Sequence, residues 1–216
     1  TYNAGETWTV NDIRVTGISV SITSIQGVSC FNYDLSTVTA IGNNGYAIMR
    51  TTNSGANWYS PVIPDQNFYD ITGTNTENGG IIVGSLSGMY KTSDNGSNWT
   101  YSLAHLPTSG LHAVDFSDEM RGMVIPTEPA DSVGITTDGG NTWGQVKRVN
   151  NDPPGKQQFY NWMTIDQVTG YIYVIFYDQR SMPLLSANVY LARSTDGGET
   201  FENIKVNNYP VILYYG

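Results

Sequence analysis

The chain has 216 residues, enough for one domain with a core of its own; only 13 % are charged, while glycine (23) and tyrosine (15) are abundant. A net charge of −9 disfavours nucleic acid and anionic membrane surfaces as partners, and no apolar run approaches the ~18 residues of a membrane span. One cysteine, Cys30, rules out an intrachain disulfide and reads as a small buried apolar residue.

In chain order, the sequence opens on the octet Thr1-Tyr-Asn-Ala-Gly-Glu-Thr-Trp8. Strand-like runs follow at 18–30, 38–42 and 46–50, and then the octet Thr51-Thr-Asn-Ser-Gly-Ala-Asn-Trp58. Runs at 68–72, 81–84 and 89–91 lead to Thr92-Ser-Asp-Asn-Gly-Ser-Asn-Trp99. Runs at 112–116, 122–125 and 132–135 lead to Thr136-Thr-Asp-Gly-Gly-Asn-Thr-Trp143. Runs at 162–165, 171–177 and 188–192 lead to Ser194-Thr-Asp-Gly-Gly-Glu-Thr-Phe201. A fourth run follows each octet, such as 142–146 or 200–206, and a last run lies at 209–215.

The octets share one pattern, Ser/Thr, any, Asp/Asn, any, Gly, any, Thr/Asn, aromatic, with the aromatics 50, 41, 44 and 58 residues apart. Each position has a physical task. The carboxylate or amide accepts bonds from backbone N–H groups that follow it, glycine supplies a positive φ, and the first hydroxyl ties the turn. The aromatic opens the next strand and fills the space between packed sheets. Four short strands per unit, with the octet between the third and fourth, predict an all-β propeller of four-stranded blades. The chain is expected to form a single domain over 1–216. The opening octet reads as part of an incomplete blade and the last run as a new first strand, so a piece of a six- to eight-bladed propeller is expected.

The octets resemble the Asp box, or BNR repeat, of sialidases, sortilin-type receptors, xyloglucanases and Ycf48-like assembly factors. Residues 9–145 resemble Ycf48-like propellers, most clearly in Leu111-His-Ala-Val-Asp-Phe-Ser-Asp-Glu-Met-Arg-Gly-Met-Val124. Residues 146–216 resemble sialidase-like proteins exported by Bacteroidota, through Asn151-Asp-Pro-Pro-Gly-Lys-Gln-Gln-Phe159, Tyr171-Ile-Tyr-Val-Ile-Phe-Tyr-Asp-Gln-Arg180 and Val189-Tyr-Leu-Ala-Arg-Ser-Thr-Asp-Gly-Gly-Glu-Thr-Phe201. The resemblance implies structural roles for Asn3, Trp8, Asn53, Trp58, Asp94, Trp99, Asp138, Trp143, Asp196 and Phe201, at outer turns away from the central funnel where ligands bind. It further implies a non-catalytic bacterial module, secreted or on the cell surface, that binds a protein or glycan or assembles with other chains. A sialidase-type glycoside hydrolase and a Ycf48-like assembly factor are the alternatives.

A sialidase needs three arginines around a carboxylate, an acid/base carboxyl and a tyrosine nucleophile. Six arginines are present, but the Arg-Ile-Pro motif of the first clamp arginine is absent, and Arg50 and Arg193 sit in matching places just before a box. The candidate ligand site is Asp178 with Arg180, at the mouth of an apolar strand; the same pair also fits an ion pair bracing the loop 181–187. Asp152, in the turn-rich stretch 150–158, is a second candidate, and oxygens there suit Ca²⁺ although no EF-type spacing exists. No other cofactor is expected: His105 and His112 lack metal-ligand spacing. Asp131-Ser132-Val133 fits a short O-glycosylation pattern of Bacteroidota, with a strand-start serine as the alternative.

Overall fold

A computed structural model describes residues 6–7, 15–16, 24–31, 38–43, 48–60, 66–74, 76, 78–129, 131–153, 155–183 and 185–213. The described residues form strands and turns without a helix. β1 (Val15–Thr16) lies on the outer edge of a sheet formed by β2 (Ser24–Ser29), β3 (Val38–Asn43), β4 (Ile48–Thr51) and β5 (Trp58–Tyr59), and runs parallel to β5. The second sheet contains β6 (Phe68–Gly73), β7 (Gly80–Gly84), β8 (Gly88–Thr92) and β9 (Thr100–Leu103). The third contains β10 (Leu111–Phe116), β11 (Gly122–Pro126), β12 (Ser132–Thr136) and β13 (Lys147–Arg148). The fourth contains β14 (Gln158–Ile165), β15 (Ile172–Asp178), β16 (Ser186–Ser194) and β17 (Glu202–Lys205), with β18 (Val211–Ile212) paired to β16. In each sheet four strands, β2–β5, β6–β9, β10–β13 and β14–β17, form an antiparallel meander in chain order, and the first strands of successive meanders run beside one another, β2 by β6, β6 by β10 and β10 by β14. The sheets are therefore blades arranged about an axis lined by their first strands.

Every described octet is the turn from third to fourth strand, as its chemistry requires. In the second blade the Thr92 hydroxyl donates to Asp94 Oδ1 (2.8 Å) and accepts from the Gly96 N–H (3.0 Å), while Asp94 Oδ1 accepts from the Asn98 N–H (2.9 Å). The same bonds recur around Asn53, Asp138 and Asp196. The octet glycines Gly96 and Gly140 stand at φ 79° and 75°, where a β-carbon is unfavourable. Hydrogen bonds from the Thr142 hydroxyl and N–H hold the Asp138 carboxyl down at about 2, and those from Thr200 lower Asp196 further. These folded-state values lie below the unfolded 3.8, so their contribution to stability is present above pH ~4 and disappears as pH falls through the folded values. Asn3 and Trp8 lie outside the described residues.

Three box aromatics, Trp99, Trp143 and Phe201, seat between blades. Trp99 meets Phe31 edge-on (6.0 Å) in the cluster joining blades one and two, which also buries Ile41, Ile48, Phe68, Ile71 and Ile82. Trp143 meets Phe116 edge-on (6.3 Å) in the cluster of Ile81, Val83, Met89, Leu111, Val114 and Val124 between blades two and three. Phe201 packs on the cluster of Met123, Ile125, Val133, Met163, Val174 and Phe176 between blades three and four. β7 and β11 are buried on both faces, and their sequences are accordingly apolar runs without alternation. A cation one residue before the box reaches the box of the next blade: Arg50 Nε donates to the Asn95 carbonyl (2.6 Å), and Lys91 Nζ to the Gly139 carbonyl (3.1 Å) and Asn141 Oδ1 (3.2 Å).

Two segments near the ends of the chain differ from expectation. Within 209–215, Val211–Ile212 does not start a new blade but pairs with Ser186–Ala187 of β16. β17 covers only Tyr190–Arg193, so the earlier part of β16 has a free edge that β18 fills, held by the Val189 N–H to Asn207 Oδ1 bond (2.8 Å). Likewise Val15–Thr16 extends the first described blade at its outer edge. The fourth strand expected over 142–146 begins only at Lys147: Gly144 donates to the Ile135 carbonyl (2.8 Å), but the regular ladder follows the segment fixed by Trp143.

Thr136 is 1 % exposed and its hydroxyl makes three bonds inside its box. Thr136→Val keeps the shape and leaves two N–H groups without that acceptor, so urea unfolding should report a loss of about 1–3 kcal/mol.

Candidate functional site: a funnel lined by the first strands

The first strand of every blade carries a register irregularity: between Ile25 and Gly27, Phe68 and Asp70, Leu111 and Ala113, and Phe159 and Trp162. A bulge re-aims the extra side chain. The extra residues are Gln26, Tyr69, His112 and the pair Tyr160 and Asn161, and all but Tyr160 line one funnel of about 400 Å³ together with Trp162. That volume suits a small ligand or a short segment of a polymer. Tyr69 and His112 face each other at 6.0 Å between ring centres. Tyr160 has φ 52° and is 81 % exposed, and Trp162 is 75 % exposed. A bulky residue in the left-handed region is backbone strain of about 1–3 kcal/mol, and such strain clusters at binding sites.

Two carboxylates tie the funnel wall across blades. Asp70 accepts the Ile71 N–H at Oδ1 (2.9 Å) and the Val114 N–H of the next blade at Oδ2 (3.0 Å). Asp115 accepts the Phe116 N–H (2.9 Å) and the Thr72 hydroxyl (3.3 Å) at Oδ1, and the Ile165 N–H (2.8 Å) and Thr164 hydroxyl (3.1 Å) at Oδ2. Burial pushes the Asp70 carboxyl up from 3.8 to about 6, against the two N–H bonds and assisted by the Asp115 charge. Its folded-state value lies above the unfolded one, so the folded chain holds the extra proton between about pH 4 and 6, and stability falls as pH rises through that window. Carboxyl-resolved NMR should find Asp70 titrating near 6, and Asp70→Asn should flatten the stability profile over the same interval.

The residues singled out from the sequence lie elsewhere. Asp178 is fully buried and accepts from Arg180 at both oxygens, from the backbone N–H and from Nε (2.6 Å each). Arg180 also donates to Asn151 (2.5 Å) and Asn203 (3.0 Å) and lies 4.2 Å above the Tyr190 ring. The two residues form an ion pair at the end of β15. Asp152 is 4 % exposed, with one oxygen on Arg148 (2.9 Å) and the other on Gln158 (2.9 Å). Both its oxygens already have partners, and among the described residues no cluster of three or more His, Cys, Asp or Glu is gathered for a metal. Ser132 is 3 % exposed at the start of β12, and its hydroxyl donates to the Pro129 carbonyl (2.6 Å). Cys30 is half-buried at the end of β2.

No protein-family model matches the chain, and no curated protein does. Among solved structures it is similar to Ycf48 from Cyanidioschyzon merolae at 14% identity and TM-score 0.63, with 88% of this chain and 59% of that one covered. It is also similar to the alpha-L-arabinanase of Penicillium chrysogenum at 12% identity and TM-score 0.56, covering 87% of this chain and 68% of that one. The fold is a β-propeller. The NanB sialidase of Streptococcus pneumoniae is a third neighbour, at 14% identity and TM-score 0.51, with 79% and 29% covered. This propeller chain therefore spans 59% of the algal protein's length and 29% of the sialidase's.

The propeller's funnel escaped sequence reading because its residues share no motif. The available signal was an aromatic or polar residue, Tyr69, His112, Tyr160 or Trp162, set within a first strand otherwise patterned for burial.

Proposed function

We propose that this propeller is a non-catalytic binding module, exported or on the bacterial cell surface, that takes a neutral glycan in the funnel. The observation that carries the reading is the funnel lining: aromatic faces of Tyr69 and Trp162 beside the amides of Gln26 and Asn161. Aromatic faces pack on the apolar faces of sugar rings while amides meet hydroxyls. Among the described residues no Lys or Arg lines the funnel, and Asp70 and Asp115 disfavour anionic sugars such as sialic acid or uronates. Both carboxylates are fixed by backbone donors of neighbouring strands, an arrangement suited to holding blades rather than moving protons. The arabinanase neighbour, complexed with arabinobiose, supports a sugar ligand on this fold.

The test separates binding from turnover. Soluble neutral polysaccharides in a native gel should retard the chain, and the same polysaccharides should keep their length on prolonged incubation with it. Shortened chains would make it a hydrolase; unretarded migration in every neutral glycan would remove the reading. Recovery of the native protein only in the cytoplasmic fraction would count against export.

A further inference from the structure

We propose that the cleft between blades three and four, on the face that carries the boxes, binds an extended peptide segment of a partner protein that presents a carboxylate to Arg121. The cleft encloses about 430 Å³, and none of its residues lines the funnel, so it is independent of the glycan reading. In blades two and three the fourth residue of the box makes two main-chain bonds. The Asn95 N–H donates to the Asn78 carbonyl of the β6–β7 hairpin (2.9 Å), and the Asn95 carbonyl accepts from Arg50 Nε of blade one (2.6 Å). The Gly139 N–H donates to the Met120 carbonyl of the β10–β11 hairpin (2.9 Å), and the Gly139 carbonyl accepts from Lys91 Nζ of blade two (3.1 Å).

Gly197 holds the same place in blade four with nearly the same φ, 73° against 71° at Gly139, yet makes neither bond. The β14–β15 hairpin closes on itself, through the Gly170 N–H to the Asp166 carbonyl (2.8 Å), and none of its carbonyls takes the Gly197 N–H. Ile135 stands where Arg50 and Lys91 stand. It covers Gly198 of the next box as they cover Gly96 and Gly140, but it has no donor for the Gly197 carbonyl. A β-carbon at Gly139 would lie 2.9 Å from the Glu119 carbonyl, whereas at Gly197 it would meet nothing within 4 Å. Gly197 thus offers an open donor and an open acceptor above the aliphatic side chains of Ile135, Ile165 and Ile172. An extended peptide supplies a carbonyl and an N–H to such a residue and side chains to such a floor.

Charge selects the segment. Asp196 is engaged by the hydroxyls of Ser194 and Thr200, and Glu199 by Lys147 (2.6 Å). Arg121, on the blade-three wall, takes part in no ion pair among the described residues. Its planar guanidinium matches a carboxylate. Met120 and Val168, in the turns of the two hairpins that bound the cleft, are 46 % and 96 % exposed, so apolar surface lies beside it for a partner larger than a free acid.

Backbone-resolved NMR titration tests this with three probes: Ac-Val-Glu-Val-NH2, its neutral counterpart Ac-Val-Gln-Val-NH2, and Ac-Val-Val-Val-OH, whose carboxylate is terminal. At least one carboxylate probe should move the Gly197 and Gly170 N–H signals saturably and bind at least roughly tenfold more tightly than the neutral one. Which of the two does so tells a side-chain carboxylate from a chain terminus. Arg121→Gln should lower that affinity to the neutral probe's while keeping the fold, because Arg121 is exposed. Ile135→Lys should give the Gly197 carbonyl the donor that Lys91 gives Gly139, and so weaken every probe; if it misfolds, Arg121→Gln decides alone. No saturable shift at Gly197 with either carboxylate probe, equal affinity for the neutral one, or binding left unchanged by Arg121→Gln or a folded Ile135→Lys would overturn the proposal.

Discussion

Phe116→Ala should destabilise the chain by about 3–5 kcal/mol, a large share of what holds a domain together. The ring is fully buried between blades two and three, edge-on to Trp143 at 6.3 Å. It also covers Gly122, where an added β-carbon would lie 2.5 Å from the ring. Truncation therefore leaves a cavity bounded by rigid backbone and an indole, neither of which collapses easily. Urea unfolding at constant pH measures the loss, and a change below ~1 kcal/mol would mean that this junction is not packed as described. Gly122→Ala tests the same contact from the other side and should cost about 1–3 kcal/mol through overpacking.

Asp115→Ala should cost about 3 kcal/mol, because it removes a charged acceptor shared by four donors and leaves the Phe116 and Ile165 N–H groups without it. Since the bonds to Ile165 and Thr164 cross from blade three to blade four, the unfolding transition should also broaden as the last blade loses its tie to the rest. Asp115→Asn retains part of the hydrogen bonding and should fall between. It also removes a negative charge that raises the Asp70 carboxyl, so the Asp70 titration should move down from about 6. An Asp70 value that rises or stays fixed in this variant would contradict the described proximity of the two groups.

The contrast between boxes and funnel shows what a single sequence carries in physical terms. A box is closed within eight residues: the hydroxyl of Thr92, the carboxylate of Asp94 and the N–H groups of Gly96 and Asn98 meet whatever surrounds them. Strand order and the box's place between third and fourth strands were legible for the same reason. The ties of Asp70 to Val114 and of Asp115 to Ile165 link residues 44 and 50 apart, and no local pattern marks them. The bulges are equally hidden, because a bulge is defined only against its partner strand. Asp178 and Arg180 stand out in the sequence as charges beside an apolar strand, and in the fold they form an ion pair at 2.6 Å. The segment 209–215 has a first strand's composition, but the free edge of β16 decides where it pairs.

The neutral-glycan site is tested most directly by calorimetric titration of neutral oligosaccharides into the wild-type chain and into Trp162→Ala, whose ring lines the funnel. Trp162 is 75 % exposed, so the variant should keep its melting temperature. Saturable binding to the wild type should weaken at least roughly tenfold in the variant, the equivalent of about 1.4 kcal/mol of lost aromatic contact. Equal affinity in both proteins, or binding only to anionic sugars, would contradict a neutral-glycan site in the funnel.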